Sequence, residues 1–351
     1  MINRRKSKQI SVGNLKIGGD APISVQSMCN TDTRDVEKTL RQIDELTDAG
    51  CELIRLAVLN KEASSAIKEI IKRSKIPVVA DIHFDYRLAI DCINNGINAL
   101  RLNPGNIGNL ENIKKVAALA KQQQIPIRIG INAGSLEKEF ASLDLTLPQK
   151  MVESAKKHIK ILENLDFDLI KVSLKSSDVL TTIEAYKLIA KEIEYPLHLG
   201  VTEAGTLKTG LVKSSVGLGS LLSQGIGDTI RVSLTENPVE EIFAGFEILK
   251  SLNLRQKGVN FISCPTCGRC QIDLISLAKK VEEKFKNIDK PITIATMGCP
   301  VNGPGEAKHA DFGVAGGIKE GYIFRKGEII AKVPEAEILQ KLDEIIKKSF
   351  V

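Results

Sequence analysis

Four cysteines late in the chain have the spacing of a metal site. Cys264 and Cys267 form a C-x2-C pair, Cys270 follows, and Cys299 stands in a segment rich in glycine and proline. A C-x2-C turn presents two thiolates to one metal ion or cluster, and a cysteine from a distant loop closes the site. Clustered cysteines in a cytosolic chain bind metal more often than they form disulfides. The spacing alone fits both zinc and a 4Fe-4S cluster.

Two residues could supply the fourth ligand. With Cys270 the site would be all-cysteine and closed, as in structural zinc or an electron-transfer cluster. With Glu306 one ligand would be a labile oxygen, which leaves one iron exchangeable for substrate. Because thiolate is the commoner ligand, the spacing alone favours Cys270.

A second set of polar side chains interrupts the apolar strands of the earlier part of the chain. Its members recur at alternate positions, so that each group points to one side of its strand. Strands buried on both faces are otherwise almost entirely apolar. The set comprises Gln26, Arg55, Asp81, His83, Arg101, Asn103, Arg128, Asn132, Lys171, Ser173, His198, Arg231 and Ser233.

Five members of this set are arginine or lysine, and an apolar interior does not tolerate so many unpaired cations. They could pair internally with Asp81 and Glu203, or they could line an anion-binding cavity. The acids are too few to balance the cations, so we predict a cavity for an anion with more than one phosphate group. Glu203 is a candidate proton donor or base beside that anion; alternatively it orients one of the arginines.

The elements that must position these residues are short strands alternating with amphipathic helices. Alternating units of this kind imply a parallel sheet covered by helices, and eight of them fit a TIM barrel, with a doubly wound open sheet as the alternative. The polar residues would then face the carboxyl-terminal mouth, where barrel enzymes place their chemistry. The eight predicted strands are Ile23–Met28, Leu53–Val58, Pro77–Ile82, Ala99–Pro104, Pro126–Ile131, Leu169–Leu174, Pro196–Val201 and Thr229–Leu234.

The pattern changes after the eighth unit. We predict a substrate-binding barrel domain over residues 1–252 and a small α+β domain over 253–351 that carries the metal site. A short hairpin around Val12–Leu15 is predicted to cap the bottom of the barrel.

Composition narrows the class of protein further. The net charge of +6 is modest and spread along the chain, which suits a phosphorylated substrate or an acidic electron carrier. Aromatic residues make up only 4%, which argues against a surface that stacks nucleic-acid bases. No signal peptide or membrane-spanning stretch is recognisable, so we expect a location in the cytoplasm or an organelle stroma.

The motifs together resemble the hydroxymethylbutenyl diphosphate synthase (IspG/GcpE) family, in its two-domain bacterial form. The resemblance covers essentially the whole chain, with every motif in order. The segments that carry it are Val25–Met28 with Asn30–Thr33, Ala80–Phe84, Arg101–Asn106, Arg128–Asn132, Gly200–Gly205, Cys264–Arg269 and Val301–Glu306.

The resemblance implies a reaction and a ligand set. Methylerythritol cyclodiphosphate would be opened and reductively dehydrated to hydroxymethylbutenyl diphosphate, with two electrons from flavodoxin or ferredoxin. Cys264, Cys267, Cys299 and Glu306 would hold a 4Fe-4S cluster, and Glu203 would handle the proton. The family does not usually have cysteine at the position of Cys270, so Cys270 becomes a non-ligand in this interpretation.

Topology and the resemblance both predict a homodimer with shared active sites. The last barrel helix, over about 237–252, should descend roughly 24 Å to the barrel bottom. The linker 253–258 spans at most roughly 20 Å, too little to climb back to the mouth comfortably. Each metal-binding domain would therefore serve the barrel of the other chain.

Two rival functions remain at this stage. One is a barrel enzyme with another phosphate or pterin substrate and a structural zinc domain. The other is a non-enzymatic metal-binding module whose basic mouth holds nucleic acid, against which the scarcity of aromatic residues argues.

Overall fold

The computed structural model describes residues 2–102, 109–300, 305 and 307–350. It consists of two compact units, Met1–Arg255 and Gln256–Val351, each with its own hydrophobic core. Two predicted site residues, Asn103 and Glu306, lie outside the described residues.

The first unit opens with a small plug. Strands β1 (Ile10–Val12) and β2 (Leu15–Ile17) pair in antiparallel fashion, which confirms the predicted hairpin. Their side chains pack with Leu53 and Ala99, which begin two of the barrel strands. The hairpin therefore closes the barrel interior at the amino-terminal ends of the strands.

Eight parallel strands form the predicted barrel. They are β3 (Ser24–Met28), β4 (Leu53–Ala57), β5 (Val78–Asp81), β6 (Ala99–Leu102), β7 (Ile127–Asn132), β8 (Ile170–Lys175), β9 (His198–Leu199) and β10 (Thr229–Ile230). Their order is β8-β7-β6-β5-β4-β3-β10-β9, and a parallel bridge between Val172 and Leu197 connects the two ends. The last two strands, at two residues each, are shorter than the apolar runs predicted.

Helices cover the outside of these strands. They are α1 (Val36–Asp48), α2 (Lys61–Arg73), α3 (Tyr86–Asn94), α4 (Leu110–Gln122), α5 (Lys138–Ala141), α6 (Leu147–Glu163), α7 (Val179–Glu192), α8 (Leu207–Leu222) and α9 (Pro238–Ser251). Side-chain caps mark where several of these helices begin. The carboxylate of Asp35 accepts a hydrogen bond from Lys38 N, and the amide oxygen of Asn60 accepts one from Ala63 N. A short 3-10 helix, Ala133–Ser135, lies between β7 and α5.

The second unit is a five-stranded mixed sheet. Its strands are β11 (Val259–Ser263), β12 (Ile292–Met297), β13 (Phe312–Gly317), β14 (Glu320–Arg325) and β15 (Glu328–Pro334). Its helices are α10 (Leu274–Phe285) and α11 (Ile338–Lys348), and a 3-10 turn, Glu335–Glu337, precedes α11. Strands β11, β12 and β13 are parallel, and the remaining pairs are antiparallel. Val281 and Phe285 of α10 pack with Leu342 and Ile346 of α11 in one core.

In the described part of the chain, no helix is both long and apolar enough to cross a membrane.

Candidate active site and metal-binding loop

One row of polar side chains crosses the barrel from β5 to β8. Strand register pairs Asp81 with Arg101, Arg101 with Arg128, and Arg128 with Lys171. All four residues are buried, while the alternate residues of the same strands belong to the hydrophobic core. The alternation predicted from the sequence thus brings one carboxylate and three cations together inside the barrel.

Asp81 is the carboxylate of this row, and it contacts several of the basic side chains. Arg101 Nη1 donates to Asp81 Oδ1 at 3.1 Å, and Arg55 Nε lies 3.6 Å from Asp81 Oδ2. His83 Nε2 lies 3.5 Å from the same oxygen. Burial alone would raise the pKa of Asp81, but these neighbours hold it well below its usual range.

Arg128 and Lys171 lie deeper and have fewer partners. Arg128 Nη1 donates to Gln26 Oε1 at 3.2 Å across the barrel. Lys171 Nζ and Arg128 Nε are buried without a hydrogen-bond partner among the described residues. Burial lowers the pKa of both side chains well below their usual values, and their mutual repulsion adds to the effect on Lys171.

Lys175 is a further cation of this cavity that the sequence prediction missed. It ends β8 on the face that carries Lys171 and Ser173, and it is 7% exposed. A Cβ at Gly200 would lie 2.5 Å from Lys175 Nζ, so glycine makes room for the ammonium group. The signal was the same period of two, but the predicted strand ended one residue too early, at Leu174.

Glu241 is the second residue that the prediction missed. Its carboxylate accepts from Arg231 Nε at 3.3 Å and Nη2 at 3.4 Å, and also from Ser27 Oγ at 2.8 Å. Because Glu241 lies on α9 rather than on a strand, strand periodicity could not identify it. Glu203 had been the alternative partner for an arginine, but it is exposed, with a φ of 52°.

The other predicted polar residues lie on these strands or directly after them. Asn132 lies beside Lys175 in the register of β7 and β8, and Ser173 Oγ donates to Ile129 O at 3.4 Å. Ser233 is half-buried beyond β10. His198 is fully buried, its Nδ1 lies 2.7 Å from Thr229 Oγ1, and burial lowers its pKa well below the usual value, so the ring stays neutral.

The cations of this cavity outnumber the carboxylates that pair with them. Asp81 and Glu241 are the buried partners described above. The basic side chains are Arg55, Arg101, Arg128, Lys171, Lys175 and Arg231. Buried cations in excess of this kind favour a multiply charged anion.

Exposed apolar side chains follow the carboxyl-terminal ends of the strands around the cavity. Leu59, Phe84 and Leu180, after β4, β5 and β8, are 77%, 76% and 74% exposed. Large exposed apolar side chains beside a polar cavity suit a surface that another protein segment covers. We call these three residues the apolar rim.

The candidate metal-binding loop lies in the second unit, where the carboxyl-terminal ends of β11 and β12 adjoin. Cys264 follows β11 directly and Cys299 follows β12. Cys264 N donates to Thr296 O at 3.2 Å, and Gly298 N donates to Cys264 Sγ at 3.2 Å. The register of two parallel strands therefore brings residues from distant parts of the sequence to one site.

A cavity of about 230 Å³ lies between these segments. Its lining consists of Cys264, Pro265, Cys267, Arg269, Cys270, Gly298 and Cys299. Within the described ranges, no three His, Cys, Asp or Glu side chains form a group that could hold a single metal ion. Four thiols line this cavity, and Gly298 N–H donates to Cys264 Sγ, the kind of hydrogen bond to sulfur that tunes iron–sulfur clusters. The residues present fit a cluster.

Cys270 also lines this cavity, but its thiol has a partner of its own. Its Sγ donates to Ile272 O at 3.3 Å. A Cβ at Gly298 would lie 2.7 Å from the same sulfur, so glycine is needed for this close approach.

Comparison with known proteins identifies the family. The model of the GcpE TIM-barrel domain matches residues 7–246, and that of the GcpE protein C-terminal domain matches residues 260–348. The chain belongs to the GcpE family.

Curated members of the GcpE family resemble the chain along almost their whole length. The relative from Dehalococcoides mccartyi is 61% identical over 342 residues, 97% of this chain and 98% of that one. A relative from Geobacter sulfurreducens is 57% identical over 98% of both chains, and one from Clostridium perfringens is 56% identical over 99% of both. All three are named 4-hydroxy-3-methylbut-2-en-1-yl diphosphate synthase (flavodoxin).

Solved structures of other families share the barrel alone. Dihydropteroate synthase from Yersinia pestis superposes with a TM-score of 0.51 at 12% identity, covering 70% of this chain and 99% of that one. The 3-dehydroquinate dehydratase of Geobacillus kaustophilus gives 0.50 at 16% identity, covering 71% and 99%. At these identities the likeness shows a shared fold and says nothing about the substrate of this chain.

Proposed function

We propose that this GcpE-family chain catalyses the reductive ring opening and dehydration of 2-C-methyl-D-erythritol 2,4-cyclodiphosphate to hydroxymethylbutenyl diphosphate, in the methylerythritol phosphate pathway of isoprenoid biosynthesis. The observation that carries the proposal is the excess of buried cations in a barrel whose relatives, named for this product, match along nearly the whole chain. A cyclic diphosphate supplies the several negative charges that such a cavity requires. Neither the described residues nor the named relatives favour the pterin or nucleic-acid alternatives.

In this proposal the barrel binds and orients the diphosphate. Arg55, Arg101 and Arg231 contribute planar guanidinium groups that suit bidentate contacts with phosphate oxygens. Arg128 and Lys171, each 2% exposed, and Lys175, at the carboxyl-terminal end of β8, add further positive charge. The remaining residues of the proposed substrate site either pair with these cations or offer neutral hydrogen-bonding groups to the substrate. They are Asp81, His83, Asn103, Asn132, Ser173 and Ser233.

Glu203 is proposed as the proton-transfer group. It follows β9 on the loop toward α8, and it is a non-glycine residue in the left-handed region, with a φ of 52°. Backbone conformations of this kind cost free energy and concentrate at functional sites. A carboxylate held in this way can deliver or accept a proton beside the leaving oxygen.

The second unit is proposed to hold a 4Fe-4S cluster through Cys264, Cys267, Cys299 and Glu306. The three proposed cysteine ligands line one cavity, which supports this assignment, and Cys270, whose thiol donates to Ile272 O, lines it too. When bound, such a cluster supplies single electrons and, at an iron with a displaceable carboxylate, a Lewis acid. The same proposal assigns substrate binding to residues 1–252 and cluster binding to residues 253–351.

The electron donor that we propose is flavodoxin, because the curated relatives carry that word in their names. The sequence left ferredoxin open as the alternative donor. Turnover with purified flavodoxin and with purified ferredoxin distinguishes the two. The cytoplasmic location expected from the sequence stays a prediction.

We also propose that two chains share each active site. Arg255, the last residue of the first unit, donates to Ile23 O at 2.7 Å and to Glu52 Oε1 at 2.8 Å, next to the first residues of β3 and β4. The chain therefore leaves the barrel at the amino-terminal end of its strands. The cavity and the apolar rim lie at the other end. A homodimer in which each cluster domain completes the partner's barrel would reconcile these two facts.

Anaerobic turnover of the cyclodiphosphate tests the proposed function. The purified protein, with its iron content measured, is given the substrate and reduced methyl viologen, and products are followed by 31P NMR. We expect hydroxymethylbutenyl diphosphate to form, and a Cys299→Ser variant to form none. Substrate that stays intact with an iron-loaded protein would refute the proposal.

A further inference from the structure

Met28 occupies an unusual position among the cations of the barrel. It ends β3 on the inward face that also carries Gln26. Strand β3 lies between β4 and β10, and the register places Met28 opposite Arg55. Arg231 directly follows β10, on the other side. A thioether thus stands between two guanidinium groups.

Both arginines direct N–H groups at its sulfur. Arg55 Nε and Nη2 lie 3.1 and 2.9 Å from Met28 Sδ, and Arg231 Nη1 lies 3.8 Å from it. A thioether is a weak, uncharged hydrogen-bond acceptor. These N–H groups are therefore oriented by the sulfur without being strongly satisfied by it.

Each arginine also has a carboxylate neighbour, and Arg55 Nε lies 3.6 Å from Asp81 Oδ2 as well as 3.1 Å from Met28 Sδ. Asp81 pairs with Arg55, and Glu241 holds Arg231. Burial lowers the pKa of Arg55 to about 10, and the nearby charge of Arg231 contributes to the shift. Because the two cations repel each other, some group must hold them side by side before an anion arrives.

The lower part of the cavity offers a contrast on the same strand. Gln26, two residues before Met28, gives Arg128 a carbonyl oxygen at 3.2 Å, a strong acceptor that a phosphate would have to replace. At the mouth the corresponding acceptor is a sulfur on a flexible side chain, which an anion displaces at little cost.

We propose that Met28 is a positioning residue for anion recognition: its thioether keeps Arg55 and Arg231 side by side, with N–H groups that phosphate oxygens then take over. The inference rests on the proposed function, because it assumes that this cavity binds the diphosphate. It predicts that the affinity for a diphosphate depends on the acceptor strength at position 28, and not only on its volume.

Two substitutions separate these properties. Met28→Leu keeps the volume and removes the acceptor, whereas Met28→Gln provides a strong acceptor of similar length. Met151→Leu, at a fully buried position on α6, is the matched control for exchanging methionine within the barrel. Binding of inorganic pyrophosphate to each full-length protein is measured by isothermal titration calorimetry.

We expect Met28→Leu to weaken pyrophosphate binding about threefold to tenfold, because the guanidinium groups must be ordered on binding. Met28→Gln should weaken it by more than about tenfold, because the amide oxygen competes with phosphate. Met151→Leu should bind as the wild type does. In turnover, Met28→Leu should raise KM and leave kcat nearly unchanged, since the interaction forms equally in ground and transition states.

The results distinguish failure of this inference from failure of the proposed function. If the wild type binds pyrophosphate and Met28→Leu binds it equally well or more tightly, Met28 only fills space and the inference is wrong. If the wild type itself fails to bind pyrophosphate, the anion cavity is wrong and the inference is overturned with it. Thermal unfolding of each variant checks that a loss of affinity is not a loss of folding.

Discussion

Asp81 and Arg101 form a buried ion pair at 3.1 Å, on neighbouring strands of the barrel. Asp81 also pairs with Arg55, so removing its charge would leave two buried cations without their carboxylate. We expect Asp81→Asn to lower the free energy of unfolding by about 3 kcal/mol. Thermal unfolding against the exposed control Asp48→Asn measures this, and saturating pyrophosphate should recover part of the loss.

The same pair predicts a dependence of stability on pH. The pKa of Asp81 is lower in the folded state than in the unfolded chain, where it is about 3.9. Its contribution is therefore fully present above the unfolded value and is lost as the pH falls toward the folded one. The difference in stability between the wild type and Asp81→Asn should shrink below about pH 4. A difference that stays constant down to the acid limit of folding would contradict the assignment.

Lys171 should behave in the opposite way, because it is a buried cation with no hydrogen-bond partner among the described residues. Lys171→Met should raise the free energy of unfolding by about 1 to 3 kcal/mol and weaken pyrophosphate binding. Burial lowers its folded pKa, so the cost in the wild type is largest at low pH and fades as the pH rises toward about 10. Lys68→Met, on the exposed face of α2, is the control.

Glu203→Gln tests the proton-transfer role. The substitution keeps size and hydrogen bonding but removes the ionisable group, so kcat should fall by about a hundredfold or more while KM changes little. Pyrophosphate affinity should equal that of the wild type, because Glu203 is not among the cations that bind the anion. An unchanged kcat would leave Glu203 a structural role only.

Cys270→Ser tests which residue completes the ligand set. The thiol of Cys270 donates to Ile272 O, a bond that a serine hydroxyl can reproduce. We therefore expect iron content and visible absorption like those of the wild type, whereas Cys264→Ser should lose both. A colourless Cys270→Ser protein would instead make Cys270 a ligand.

Periodicity could predict the barrel and its inward row because both follow from the alternation of side chains along strands. The inward positions of Arg101, Arg128 and Lys171 were predicted in this way, and the change of pattern after the eighth unit predicted a separate α+β domain. Glu241 was not found, because its contact with Arg231 joins a helix to the segment that follows β10 through tertiary packing. The ordering role proposed for Met28 was equally invisible, since a methionine that ends an apolar strand looks like a core residue.

Shared active sites can be tested by complementation. A Cys299→Ser chain lacks a cluster ligand, and a Glu203→Ala chain lacks the proposed proton-transfer group, so each homodimer should be inactive. After subunit exchange, verified by mass spectrometry of differently tagged chains, a heterodimer contains one site with the intact barrel of the first chain and the intact cluster of the second. Random exchange should restore about a quarter of wild-type activity, because half of the dimers are mixed and each has one complete site. If barrel and cluster of the same chain work together, every site in the heterodimer carries one defect, and verified heterodimers would remain inactive.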